Sequence, residues 1–278
     1  MMAWAWQAWS WEALVRNGCT GAAGTGCLLL LGMTTNSDKH KLDLPPGFSE
    51  IRLREHGDAF AHAQGVAATE GAGTLVWVRR LDSIEAAVVL EPEQPLVEAR
   101  CALFAVMNAV ADALGQYCAP EKALQFGWPD TILLDGGIVG GCRLAAPRDA
   151  ADTDVPDWLV VGLQLRGGVP MTTWQTFSRG TSLEAEGFDL LHSEDVLASF
   201  ARHLMAGFDG WRADGFKSVA ERFLARMPAI KGLRRGLESN GDLLERRLAT
   251  VKEVVRQPLT EALDVPQWLD PDTGQPWM

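Results

Sequence analysis

Residues 126–144 read FGWPDTILLDGGIVGGCRL, and this stretch decides how the rest of the chain is folded. Trp128-Pro129 cannot continue a helix, because the residue before a proline is pushed to extended geometry. Thr131–Leu134 and Ile138–Ala145 are apolar, β-type runs, and Asp135-Gly136-Gly137 between them supplies the positive φ that a tight hairpin demands. The spacing therefore predicts an antiparallel hairpin, entered through a bend. The stretch holds no lysine, histidine or serine, so it has the form of a binding-site floor without the usual catalytic side chains.

Working outward, TLVWVRR (74–80) and IEAAVVLEP (84–92) are two further strands, so close in sequence that they should pair antiparallel. A polar, proline-containing lead-in (Asp38–Gly47) precedes an alanine-rich helix expected over Glu55–Thr69, which Gly71-Ala72-Gly73 ends. From Leu96 to Tyr117, the apolar residues Leu96, Leu103, Phe104, Met107, Val110, Ala111 and Leu114 recur at helical spacing. WLVVGLQLRG (158–167) is another apolar strand, and amphipathic helices are expected over Ser193–Trp211 and Phe216–Met227. Residues 231–258 switch to period-two strands around Ser239-Asn240-Gly241, which marks a small β module. Trp268–Trp277 reads as a tail that docks on the core, with no chemical role assigned to it. The order predicts an α+β fold: a mixed, largely antiparallel sheet with helices against one face, plus the C-terminal module.

The composition narrows the function classes. A chain of 278 residues, 47% hydrophobic, supports one main core with a small appendage. A net charge of −11 with no basic run argues against nucleic acid as a partner. Cys19, Cys27, Cys101, Cys118 and Cys142 are odd in number and contain no Cys-x-x-Cys pair, which fits reduced thiols in a cytoplasmic protein. His56 and His62 are six apart and share no helical face, so no metal site is expected. The first 32 residues crowd Trp4, Trp6, Trp9 and Trp11 ahead of a short glycine-rich apolar run. That run is too short to span a bilayer and lacks a basic leader, so the favoured reading is an over-long start with the protein beginning at Met33. The expected organisation is an extension over 1–45, a main domain over 46–228 and a small β domain with its docking tail over 229–278.

The run GWPDTILLDGGIVGG resembles the Lys-Trp-Pro-Asn-Asp, strand, turn, Lys-Leu-Ala-Gly hairpin of the biotin/lipoate protein ligase family. TLVWVRR and AAVVLEP before the long helix, WLVVGLQL in place of a Gly-Ile-Gly-Ile-Asn strand, and TSLEAEGFDL before a helix fall in the family's order. GLRRGLESNGDLL (232–244) resembles the hairpin of the small C-terminal domain of biotin ligases. The resemblance covers roughly residues 50–250. It implies a class II synthetase-like sheet, a biotin-like or lipoyl/octanoyl acid as ligand, ATP with magnesium, and a carrier-domain lysine as acceptor.

Two departures bear on that chemistry. The family's two lysines, one before the tryptophan and one after the turn, are matched here by Gly127 and Gly137, and its Asn-Asp pair by Asp130-Thr131. The long glycine- and arginine-rich loop over the adenylate is replaced by Arg79-Arg80-Leu81-Asp82-Ser83. A single preorganised donor of this kind is worth about 3–4 kcal/mol to a charged transition state. Arg79, Arg80 and Arg143 are the nearest cations that could hold a carboxylate or phosphate, or else they are solvated strand residues. Trp128 either walls an apolar acyl slot, with Pro129 setting the bend, or is core. Asp130 either orients a ring nitrogen or opens the turn. Gly137, Gly140 and Gly141 either admit a ligand close to the backbone or serve a tight hairpin beside another strand. Two functions stay open: ligase or acyltransferase, and a non-catalytic relative that binds an acyl ligand or a protein partner.

Overall fold

The computed structural model describes residues 41–119, 121–168, 179–188, 193–247 and 254–277. The expected over-long start, with Cys19 and Cys27, lies outside the described residues.

Seven strands form one sheet in the order β1-β2-β3-β7-β6-β5-β4. They are β1 (Ser49–Leu53), β2 (Thr74–Val78), β3 (Ser83–Leu90), β4 (Leu124–Gly127), β5 (Thr131–Leu134), β6 (Gly137–Ala145) and β7 (Leu159–Arg166). Only β1 and β2 run parallel; the other neighbours are antiparallel. The two positive-φ residues that turn β5 into β6 are Asp135 at 47° and Gly136 at 83°, so Gly137 already belongs to the strand and faces Leu134. A two-residue turn of this hand matches the twist of the strands it joins.

Several points differ from the order read in the sequence, among them the short strand β4, which was not expected. The described chain begins with a strand, β1, rather than with the alanine-rich helix. Helices also cover both faces of the sheet rather than one. On one face lies α1 (Ala59–Glu70), whose buried residues Ala59, Ala63 and Ala67 pack on Val76, Val78, Ala87, Val89 and Val160. This stripe is narrow and made of alanine, so the helix approaches the sheet closely and Phe60 reaches over Gly162. On the other face, the segment expected as one helix is divided into α2 (Leu96–Ala99) and α3 (Ala102–Gly115). Every residue of α3 from Ala102 to Leu114 is buried except Asp112, as suits a helix sandwiched between a sheet and further helices. Those helices are α4 (Ser193–Asp214) and α5 (Phe216–Ala225). Asp112 is not left uncompensated: it pairs with Arg222, and with Arg226 at 2.7 Å.

Asp58 caps α1, its Oδ1 accepting from the Ala61 amide at 2.8 Å. Removing such a cap costs about 1 kcal/mol, so Asp58→Ala is expected to lower stability by that amount in a urea unfolding experiment.

The chain ends in a three-stranded antiparallel unit of β8 (Leu233–Leu237), β9 (Leu243–Arg247) and β10 (Val254–Gln257). A short helix α6 (Leu259–Leu263) then leads to a hairpin of β11 (Leu269–Asp270) and β12 (Gln275–Pro276). Residues of this segment lie against the main sheet. Trp268 is fully buried, and a side chain at Gly141 would meet its ring at 2.4 Å.

Candidate functional site

Pairing registers place one row of residues across all seven strands, on the face that carries α1. From edge to edge it runs Leu53, Val78, Glu85, Gln164, Gly141, Thr131, Gly127. Directly opposed residues share a face, so this row brings together a buried acid, a buried amide and two glycines. Glu85 is 4% exposed and Gln164 2%. Burial pushes the Glu85 carboxyl up, against the Ala59 amide that donates to its Oε1 at 2.9 Å. Arg80 Nη1 stands 3.5 Å from Glu85 Oε2.

Of the sequence candidates, Arg80 and Arg143 therefore meet at the start of α1. Arg143 lies one row on, opposite Gly162, with its guanidinium 4.6 Å above the Phe60 ring and 4.0 Å from Asp58. Arg79, although next in sequence, points elsewhere and lies 4.0 Å from Glu194. Trp128 packs against the α3-side core, so it does not share a slot with Arg80 or Arg143. The Trp128-Pro129 bond is cis, and the Trp128 indole nitrogen is buried without a hydrogen-bond partner among the described residues. Asp130 is 1% exposed and accepts from the Thr131 hydroxyl at 3.2 Å; burial raises its pKa to about 7. Its backbone carbonyl accepts from the Cys142 amide at 2.9 Å, which ties the bend to β6.

The glycines have separate reasons. A Cβ on Gly140 would lie 2.0 Å from the Gln164 carbonyl oxygen, so the strand crossing itself demands glycine there. A Cβ on Gly137 would meet the Thr181 Cβ and Cγ2 at 3.0 Å. Thr181 donates to Glu186 at 2.6 Å, and Glu186 pairs with Lys122 at 2.6 Å, which also reaches Asp135 at 3.0 Å. Hydrogen bonds from Lys122 hold Glu186 below the usual carboxylate range, and the Ala123 amide followed by Lys122 does the same for Asp135. The ground next to the turn is thus occupied by a closed polar cluster.

Sequence reading passed over Glu85, Gln164, Arg166 and Lys122. A signal for the first three was present: single polar residues at inward positions of otherwise apolar strands (IEAAVVL, LVVGLQLR). Arg166 donates to the Pro276 carbonyl, and Gln164 Nε2 reaches Gly274 O at 3.4 Å and Gln275 Oε1 at 3.2 Å. Among the described residues, no three His, Cys, Asp or Glu side chains are grouped to hold a metal ion, and no helix is long and apolar enough to cross a membrane.

The mostly antiparallel seven-stranded sheet, helices on both faces and the bend-hairpin at its far edge define the chain as a protein with the biotin protein ligase-like fold. It belongs to the biotin/lipoate A/B protein ligase family, whose model matches residues 44–225. A biotin protein ligase-like protein of unknown function from a Silicibacter species superposes with a TM-score of 0.70 at 27% identity, covering 80% of this chain and 99% of that one. The ligand-free biotin protein ligase of Aquifex aeolicus gives 0.56 at 16% identity, over 75% and 95% of the two chains, a likeness of fold alone. In sequence, the biotin–[acetyl-CoA-carboxylase] ligase of Paracoccus denitrificans is 31% identical over 115 residues, 41% of this chain. The chain spans about half the length of that relative, 45%.

Proposed function

We propose that this protein binds a small biotin-like or lipoyl-like acid on the ligase fold without forming an acyl-adenylate. The observation that carries the reading is the pair Gly127 and Gly137, where the resembling ligases have lysines. At Gly137 a side chain would also press on the buried Thr181, whose Cβ and Cγ2 lie 3.0 Å from where its Cβ would stand. The described residues therefore do not fit the ATP and magnesium chemistry of the family, which depends on fixed cations around a phosphate. Arg80 and Arg143 remain as cations able to meet a ligand carboxylate at the start of α1. The free thiols of Cys101, Cys118 and Cys142 support a reducing, cytoplasmic setting.

The expected result is calorimetric binding of biotin, lipoate or octanoate, with neither pyrophosphate release from ATP nor labelling of a carrier domain. Pyrophosphate release dependent on one of these acids would overturn the reading. Gly127→Lys with Gly137→Lys and Thr181→Ala, which clears the space, is expected to gain measurable affinity for a non-hydrolysable acyl-adenylate analogue.

One observation favours the ligase or acyltransferase reading, in which the acid passes to a carrier-domain lysine. Lys122 brings an ammonium group to the β5–β6 turn from the segment before β4. Under that reading Lys122→Ala abolishes carrier labelling; under the first there is none to lose.

A further inference from the structure

The face of the sheet that carries the Glu85 row has two covers. The first turn of α1 lies over Gly162, and the C-terminal hairpin lies over Gly141, Gln164 and Arg166. The hairpin is held by the Trp268 indole against Gly141, by its Nε1 donating to the Cys142 carbonyl at 3.3 Å, and by the bonds from Gln164 and Arg166. Its two strands have two residues each, and a hairpin of that size has little stability of its own. Docking is what orders it.

The fit beneath it is incomplete. Gln164 Oε1 and Arg166 Nε are buried, yet neither has a hydrogen-bond partner among the described residues. An unpaired buried polar atom is a standing cost, so the hairpin satisfies only part of what the sheet offers. The donors that are satisfied, Gln164 Nε2 and the Arg166 guanidinium, all point at carbonyl-type oxygens of the hairpin. The unsatisfied pair asks for an N–H donor at Gln164 Oε1 and an acceptor oxygen at Arg166 Nε. Glu85, directly across from Gln164, adds a second acceptor in the same row. A flat group with N–H beside C=O matches this pattern better than the peptide now lying on it.

We propose that the hairpin of residues 268–277 is a displaceable cover over a ligand site formed by Glu85, Gln164 and Arg166, and that a cyclic urea or lactam competes with it for these side chains. The proposal rests on the reading above that the fold binds a small biotin-like molecule. It adds that the free chain holds the site closed with its own tail. Trp268 is the anchor, Gly274, Gln275 and Pro276 are the peptide stand-ins, and ligand entry lifts them together.

The test uses the full chain, a chain ending at Gln267, and two full-length variants, Trp268→Ala and Gln275→Ala, each checked for cooperative unfolding. Biotin is the cyclic-urea probe and octanoate is the acid without one. Biotin is expected to bind the shortened chain and Trp268→Ala at least ten-fold more tightly than the full chain, while octanoate shows no such gain. In the full chain, biotin should speed hydrogen exchange at Gly274 and Trp277, whose amides close the hairpin onto Asp270 and Trp268. Equal, measurable biotin affinity across all forms, or slower exchange at those amides, overturns the cover while leaving acid binding intact. No binding of either probe to any form overturns both. If the shortened chain does not fold, the two point variants and the exchange data decide.

Discussion

Gly140→Ala is expected to lose about 4 kcal/mol of unfolding free energy, enough to leave a large unfolded fraction in a marginally stable domain. Two costs combine. The residue sits at φ 154°, outside the range L side chains ordinarily adopt, which carries about 1–3 kcal/mol of strain. The added methyl would also stand 2.0 Å from the Gln164 carbonyl oxygen and 2.9 Å from the Leu165 Cα. Both are backbone atoms of β7, a central strand paired on either side by β3 and β6, so neither can move aside cheaply. Gly136→Ala is the control: it too has a positive φ, 83°, but open space around it, so only the conformational cost of about 1 kcal/mol applies. Urea unfolding of the two variants checks the contrast. A Gly140→Ala midpoint close to that of Gly136→Ala would mean that the close approach of β6 to β7 is wrong.

That glycine also shows what was legible beforehand. The β5–β6 hairpin, β2, β3, β7 and the long helix announce themselves through local pattern: alternating or continuous apolar runs bounded by glycine and proline, then helical spacing. β1 does not. SEIRL is a short, mostly polar run just after the lead-in, and what makes it a strand is parallel pairing with β2, more than 20 residues later in the chain. β4 has four residues and an amphipathic signal too short to read. The helix expected over Glu55–Thr69 is there as α1, but its place on the second face escaped because it buries only Ala59, Ala63 and Ala67, a stripe that marks no hydrophobic face by bulk. For the site, adjacency in sequence misleads. Arg79 and Arg80 follow one another, but at the end of a strand successive side chains diverge, so one meets Glu194 and the other Glu85. The buried row of Glu85, Gln164 and Gly141 depends on the registers of three strands at once, which no local pattern encodes.

Asp130→Asn is expected to flatten the pH dependence of stability between pH 5 and pH 8 and to make the protein more stable than the parent at pH 8. The carboxyl is 1% exposed, and its burial raises the native pKa to about 7, with the Thr131 and Trp268 hydrogen bonds opposing the rise only in part. In the unfolded chain the group returns to the ordinary aspartate range near 4. Below that range both states hold the proton and the native state has its full stability. As the pH climbs toward 7, the unfolded chain releases the proton first, so ionisation favours unfolding, and the loss is complete once the native group has also ionised. From pH 5 to pH 8 this amounts to about 3 kcal/mol for the parent. Asparagine keeps the shape and remains neutral throughout, so that component vanishes while those of the other carboxylates persist. Urea unfolding of both proteins at the two pH values isolates it as a difference of differences, and parallel pH profiles would mean that Asp130 is hydrated rather than enclosed.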